Sequence, residues 1–166
     1  HTKSPVFVCK INRSGTSVMD YILLMDHYDV EHKQKTLAYF SGKNAAIENA
    51  REFARYRQKQ DSPELAKLAS DIKKEVHGDY FLAELIEKGV AYHIGYLPSS
   101  IRQRIEQLFK DGKITAMFCT STLIEGVNLP ADNLFVANNY NGRPKMSGVE
   151  FKNLIGRVGR IKVNLY

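Results

Sequence analysis

The sequence predicts an α/β fold built on a mostly parallel sheet, and three observations carry that expectation. Short apolar runs of strand length recur at 5–9, 36–40, 90–93, 115–119 and 134–137. Between them lie longer segments with apolar residues at helical spacing. Small polar or glycine-containing turns separate the two kinds of segment, and strands alternating with helices make a parallel sheet. The expectation is five strands in one sheet.

Pro5-Val6-Phe7-Val8-Cys9 reads as the first strand. Val18, Tyr21, Ile22 and Met25 then mark one face of a helix, and the polar run 27–35 reads as a loop. Thr36-Leu37-Ala38-Tyr39-Phe40 is the second strand. Ser41-Gly42-Lys43-Asn44 turns into a helix carrying Ile47, Ala50, Phe53 and Ala54. Ser62 and Pro63 open another helix as N-cap and first helical residue. His77-Gly78 breaks it, and Tyr80 to Glu87 forms the next, closed by Gly89. Val90-Ala91-Tyr92-His93 is a short buried strand. Ser100 with Gln103 has the pattern of a capping box, ahead of a buried stripe of Ile101, Ile105, Leu108 and Phe109. Arg102 and Arg104 lie off that stripe, and Gly112 ends the helix. Thr115 to Cys119 and Leu134 to Ala137 are the last two strands, and a loop over 138–147 leads to a final helix over 151–160.

At 166 residues the chain reads as one domain with room for a full core, 1–166. Hydrophobic content of 43% and charged content of 25% are ordinary for a globular protein. A net charge of +6 leans toward polyanionic partners, and from Arg143 onward six basic residues face the single acid Glu150. Two cysteines, Cys9 and Cys119, make neither a disulfide framework nor a zinc site. That points to a reducing compartment, the cytoplasm or, in a eukaryote, the nucleus. No apolar run reaches membrane-spanning length, so no membrane partner is expected. His1-Thr2-Lys3-Ser4 has no signal-peptide character and reads as a cut edge or tag remnant.

The chemistry concentrates in Phe151-Lys152-Asn153-Leu154-Ile155-Gly156-Arg157-Val158-Gly159-Arg160. Phe151, Leu154, Ile155 and Val158 form one helical stripe, and Asn153, Gly156, Arg157 and Arg160 form another. Each glycine costs a helix about 1 kcal/mol relative to alanine, which a face turned only to water does not require. Glycines between arginines suit close approach of an anion to the backbone. The plainer reading is a solvated basic helix. Ligands of open α/β sheets gather beyond the carboxyl ends of the strands. Three clusters fall there: 41–44, 93–98 and 120–128. The hydroxyls of Thr120, Ser121 and Thr122 suit phosphate oxygens, or they simply cap the next helix. His93 alone reads as a packed or hydrogen-bonded histidine, with no second histidine placed for a metal. Cys119 reads as core.

The segment 151–160 resembles motif VI of the superfamily 2 helicases, with Asn153 where many members carry Gln. Thr120-Ser121-Thr122-Leu123-Ile124-Glu125-Gly126-Val127-Asn128-Leu129-Pro130 is similar to motif V of the Ski-like branch. Gly89 to Pro98, followed by Arg102, Ile105, Glu106, Phe109 and Gly112, looks like the segment before it, with Ile94 where relatives often carry a second His. The turn at 41–44 resembles motif IV. The likeness runs from about 36 to 160, and 58–77 matches nothing specific. Asp29-Val30-Glu31-His32 imitates an Asp-Glu-x-His box, out of order and without a buried strand before it.

The resemblance implies a three-layer RecA-like fold with helices on both faces, the second motor domain of an ATP-dependent DNA or RNA helicase. In that family ATP and Mg2+ bind between two such domains, and the first carries the phosphate loop. No Gly-x-x-x-x-Gly-Lys-Ser/Thr occurs in this chain. The implied partners are therefore an N-terminal RecA-like domain of the same protein and a nucleic-acid single strand. Arg157 and Arg160 correspond to the family's two motif VI arginines, with Arg160 the expected finger. Asn153 and Gly156, with Glu125 and Gly126, would face the nucleotide. Ser41, His93, Thr120, Ser121 and Thr122 would face the nucleic-acid backbone. A further family strand belongs after Arg160, and with six residues remaining it is expected to be truncated or disordered. The alternative function is a non-hydrolysing nucleic-acid-binding or scaffold module on the same fold.

Overall fold

The computed structural model describes residues 7–10, 35–123, 129, 131–136 and 162–165. The expected helix at 18–25, the loops at 27–34 and 138–147, and the helix at 151–160 lie outside the described residues. Strands β1 (Phe7–Lys10) and β2 (Thr36–Tyr39) come first, followed by helices α1 (Lys43–Ala54), α2 (Pro63–Glu75) and α3 (Tyr80–Glu87). Strand β3 (Val90–His93), helix α4 (Ser99–Lys110), strand β4 (Ala116–Cys119), strand β5 (Asn133–Val136) and strand β6 (Lys162–Leu165) complete the described elements.

The six strands form one sheet in the order β1-β6-β5-β2-β4-β3, and every pairing is parallel. Five strands were expected. The sixth, β6, is the strand anticipated as truncated or disordered, and it pairs with β1 on one side and β5 on the other. Four residues are enough because two parallel neighbours supply hydrogen bonds along both edges.

Every residue of β2, β3, β4 and β5 is buried, so both faces of this part of the sheet are covered. The covering differs by face. Tyr92 and Phe118 are register partners and share a face. Phe118 lies 5.5 Å from the Phe53 ring of α1, and Tyr92 donates its hydroxyl to Asp79 at the start of α3. The neighbouring partners His93 and Cys119 point the other way, where His93 meets Glu106 of α4. Helices α1 and α3 thus cover one face and α4 the other, giving the three layers. Helix α2 packs against α3 and reaches α4 through Arg104 Nη1 to Asp71 Oδ2 at 2.8 Å.

The helix ends follow local chemistry. Ser62 Oγ accepts the Leu65 N–H and Pro63 starts α2, as expected. The capping box at Ser100 and Gln103 does not form. Helix α4 begins two residues earlier than that box implies, at Ser99, with Pro98 as N-cap and no side-chain cap. Pro98 sits at φ −54° and ψ 140°, and its carbonyl accepts the first helical N–H, from Arg102. Ser100 is therefore already inside the first turn. Leu108, expected in the buried stripe, is only partly buried. At the other end Gly112 N–H reaches Phe109 and Lys113 N–H reaches Leu108, a Schellman close with Gly112 at φ +77°.

Gly89 combines a positive φ of 74° with crowding: an added Cβ would stand 3.1 Å from the Lys113 carbonyl oxygen. At Gly112 the same φ region meets open space. Left-handed backbone costs a side-chain-bearing residue roughly 1–2 kcal/mol. Gly112→Ala is expected to lose about that much in urea unfolding, and Gly89→Ala more, because the Gly89 carbonyl, which accepts the Thr115 and Ala116 N–H groups, must shift as well. Equal losses would show that the crowding at Gly89 is relieved without cost.

Candidate nucleic-acid interface

Parallel pairing brings the carboxyl ends of β2, β3 and β4 side by side, with Tyr39, His93 and Cys119 in register. Main-chain bonds carry the alignment into the loops. Phe40 N–H donates to Cys119, and Thr120 N–H donates to His93 at 3.3 Å. Ser41, the backbone of His93 and Thr120 therefore meet at one edge, as the three sequence clusters implied. Thr120 is largely enclosed at 8% exposure, and Ser121 is exposed at the start of a single 3-10 turn, Ser121–Leu123. The backbone of Thr122 belongs to that turn. Glu125, Gly126, Asn153, Gly156, Arg157 and Arg160 lie outside the described residues.

His93 is placed differently from a surface ligand. Its ring is 1% exposed and its Nε2 lies 2.8 Å from Glu106 Oε1. Burial lowers its pKa below the ordinary histidine range, with Arg102 working in the same direction and Glu106 opposing both. A neutral imidazole donates Nε2–H to the carboxylate, so the ring braces β3 against α4. What His93 presents to the edge is its carbonyl, which holds Thr120. Cys119 is buried, which raises its thiol pKa above the usual range, consistent with a core residue.

Sequence reasoning assigned no role to a second polar group at this edge. Asp79 is 6% exposed and precedes α3, yet its carboxylate does not cap the helix. One oxygen accepts the Tyr92 hydroxyl and the other accepts the Tyr96 hydroxyl at 2.8 Å. Burial, then Asp79, pushes the Tyr96 phenol up to about 12, and the same causes raise Tyr92 further. Both phenols stay protonated as donors. Lys43 Nζ, at the start of α1, stands 5.9 Å from the centre of the Tyr96 ring. The spacing of an aspartate after a Gly-containing helix break and two tyrosines four residues apart was visible, but their convergence needed the fold.

Among the described residues no group of His, Cys, Asp and Glu is arranged to hold a metal ion. Among them, too, no helix is long and apolar enough to cross a membrane.

The chain matches the family model described as "Helicase conserved C-terminal domain" over residues 18–162. It is 33% identical over 152 residues to the ATP-dependent DNA helicase Hel308 of Thermoplasma acidophilum, covering 89% of this chain and 21% of that protein. It is 36% identical over 83 residues to the human protein named Helicase POLQ-like, covering 50% of this chain and 8% of the relative. Anti-bacteriophage protein B of Escherichia coli is 32% identical over 93 residues, 56% of this chain and 13% of that protein. The chain thus spans between 8% and 21% of the length of these relatives.

The depressed pKa of His93 links its ring to stability. A base whose folded pKa lies below its unfolded value near 6.5 binds fewer protons folded than unfolded in that window. Stability contributed by neutral His93 is present above pH 6.5 and is lost as pH falls toward the folded pKa. Unfolding midpoints measured from pH 8 down to pH 5 are expected to fall, and His93→Gln to flatten that slope. An unchanged slope in the variant would place the proton uptake elsewhere.

Proposed function

The chain belongs to the family of helicase conserved C-terminal domains, a superfamily 2 RecA-like fold, and from that premise we propose that it is the second motor domain of a longer ATP-dependent DNA helicase. The observation that carries the nucleic-acid half of this reading is the convergence of Ser41, the His93 carbonyl and Thr120 at one edge of the parallel sheet. DNA is favoured over RNA by relatives named as DNA helicases.

In this reading the hydroxyls of Ser41, Thr120, Ser121 and Thr122 hold phosphate oxygens of a single strand, which positions the strand without reading its sequence. His93 supports them from beneath, between α4 and the Thr120 N–H. In this reading Mg2+ and ATP bind at an interface completed by an N-terminal RecA-like domain of the same protein. Asn153, Gly156, Glu125 and Gly126 of this chain would line its side of that interface. Arg157 and Arg160 would bring guanidinium groups to the γ-phosphate oxygens, where charge spreads as the bond to the β-phosphate breaks.

The strand contacts predict weak, sequence-independent binding whose affinity falls with rising salt, because neutralised phosphates release counterions. Binding that resists salt, or that selects strongly among sequences, counts against the proposal. The catalytic part is tested in the full-length protein. Arg160→Ala is expected to slow ATP turnover about 10³- to 10⁵-fold, roughly 4–7 kcal/mol of transition-state stabilisation. Nucleotide affinity should change far less. Arg160→Lys should rescue poorly, since an ammonium lacks the forked donors of guanidinium. Single-turnover hydrolysis within a few-fold of the unsubstituted protein would remove Arg160 from the reaction and shift the weight to Arg157 or to the scaffold reading.

A further inference from the structure

We propose that Tyr96 is a stacking platform for one base of the bound single strand, with Lys43 beside it to neutralise the adjoining phosphate. The proposal rests on the reading of this edge as a nucleic-acid surface. It adds a contact of a different kind from the hydroxyl contacts to the backbone.

Four observations lead to it. Tyr96 is an exposed aromatic, 52% accessible, only three residues beyond the end of β3. Exposed tyrosines on loops usually swing between rotamers, whereas this one is tethered: its hydroxyl donates to Asp79 Oδ2 at 2.8 Å. The tether is itself fixed, because Asp79 is buried and its other oxygen accepts the buried Tyr92 hydroxyl. A carboxylate in this position would ordinarily cap α3, and here it holds two phenols instead. The ring is thus oriented before any ligand arrives, so little rotamer freedom is lost on binding.

The surroundings select the occupant. Lys43 Nζ lies over one face of the ring, 5.9 Å from its centre, and Lys43 opens α1 directly after Ser41 and Gly42. An apolar protein ligand would gain nothing from the ammonium. A nucleotide offers a flat π-surface and an anion a few ångströms apart, matching the ring and the ammonium together. Stacking tolerates any base, which agrees with backbone contacts that do not read sequence.

The test compares two fluorescent single strands of equal length and charge, oligothymidylate and the same strand with abasic sites, in anisotropy titrations with the full-length protein. The unsubstituted protein should prefer the strand with bases. Tyr96→Ala should lose roughly 5- to 100-fold on oligothymidylate, the range for one base–aromatic stack, and change little on the abasic strand. Tyr96→Phe keeps the ring and should retain most of the preference. Lys43→Ala should weaken both strands alike and make both salt dependences shallower, because one fewer phosphate is neutralised. An unchanged affinity of Tyr96→Ala for oligothymidylate overturns the proposal. So does an equal loss on both strands, or a Tyr96→Phe variant as weak as Tyr96→Ala. Failure of the unsubstituted protein to bind either strand would instead overturn the nucleic-acid reading itself.

Discussion

The hydrogen bonding of β4 between β2 and β3 is the constraint on which the described structure depends. A strand paired in parallel on both sides cannot slide by one residue without turning its core face outward. Ala116 and Phe118 are therefore held toward α1 and α3, and Met117 and Cys119 toward α4. The same pairing fixes where the three chain segments leave the sheet. Because Phe40 and Thr120 continue the ladder by one bond each, the loops begin in register with one another. The relative position of Ser41 and Thr120 is thus set by backbone geometry before any side chain contributes.

Two consecutive residues at the end of β3 show how this scaffold handles polarity. Tyr92 and His93 point to opposite faces, and each finds a carboxylate: Asp79 from the start of α3, Glu106 from the middle of α4. Buried polar groups left without such partners would cost roughly 1–3 kcal/mol each. The pairing clamps the strand between two helix layers at the place where the functional loops depart. It also separates two tasks. The face with Glu106 is closed around its histidine, while the face with Asp79 extends outward to Tyr96.

Much of the fold was legible because its signals are local. Apolar runs at 36–40, 90–93, 115–119 and 134–137 located the strands to within a residue, and Ser62-Pro63 and Gly112 marked helix ends by cap and turn chemistry. The failures arose where a neighbour overrode a local pattern. Ser100 and Gln103 had the spacing of a capping box, but Pro98 started the helix earlier. Lys162 to Leu165 was too short to read as a strand without the two partners that define it. At the candidate site, the clustering of Ser41, His93 and Thr120 followed from strand ends, which sequence can locate. The inward turn of the His93 ring and the sharing of Asp79 by two tyrosines did not, since they depend on which helix covers which face.

The sheet order carries a consequence for how the polypeptide acquires its structure during synthesis. Among the described strands β1 pairs only with β6, and Phe7 meets Lys162 about 150 residues later. Ribosomes add roughly 5–20 residues each second, so the first strand waits on the order of 10–30 s for its neighbour to exist. Over that interval β2, β3 and β4, which lie closer together in the chain, can assemble with their helices while β1 remains an open strand edge. Such edges invite pairing with other chains. This domain is therefore exposed to misassociation at β1 during synthesis, and a holding chaperone acting on that strand would matter until β6 has been made.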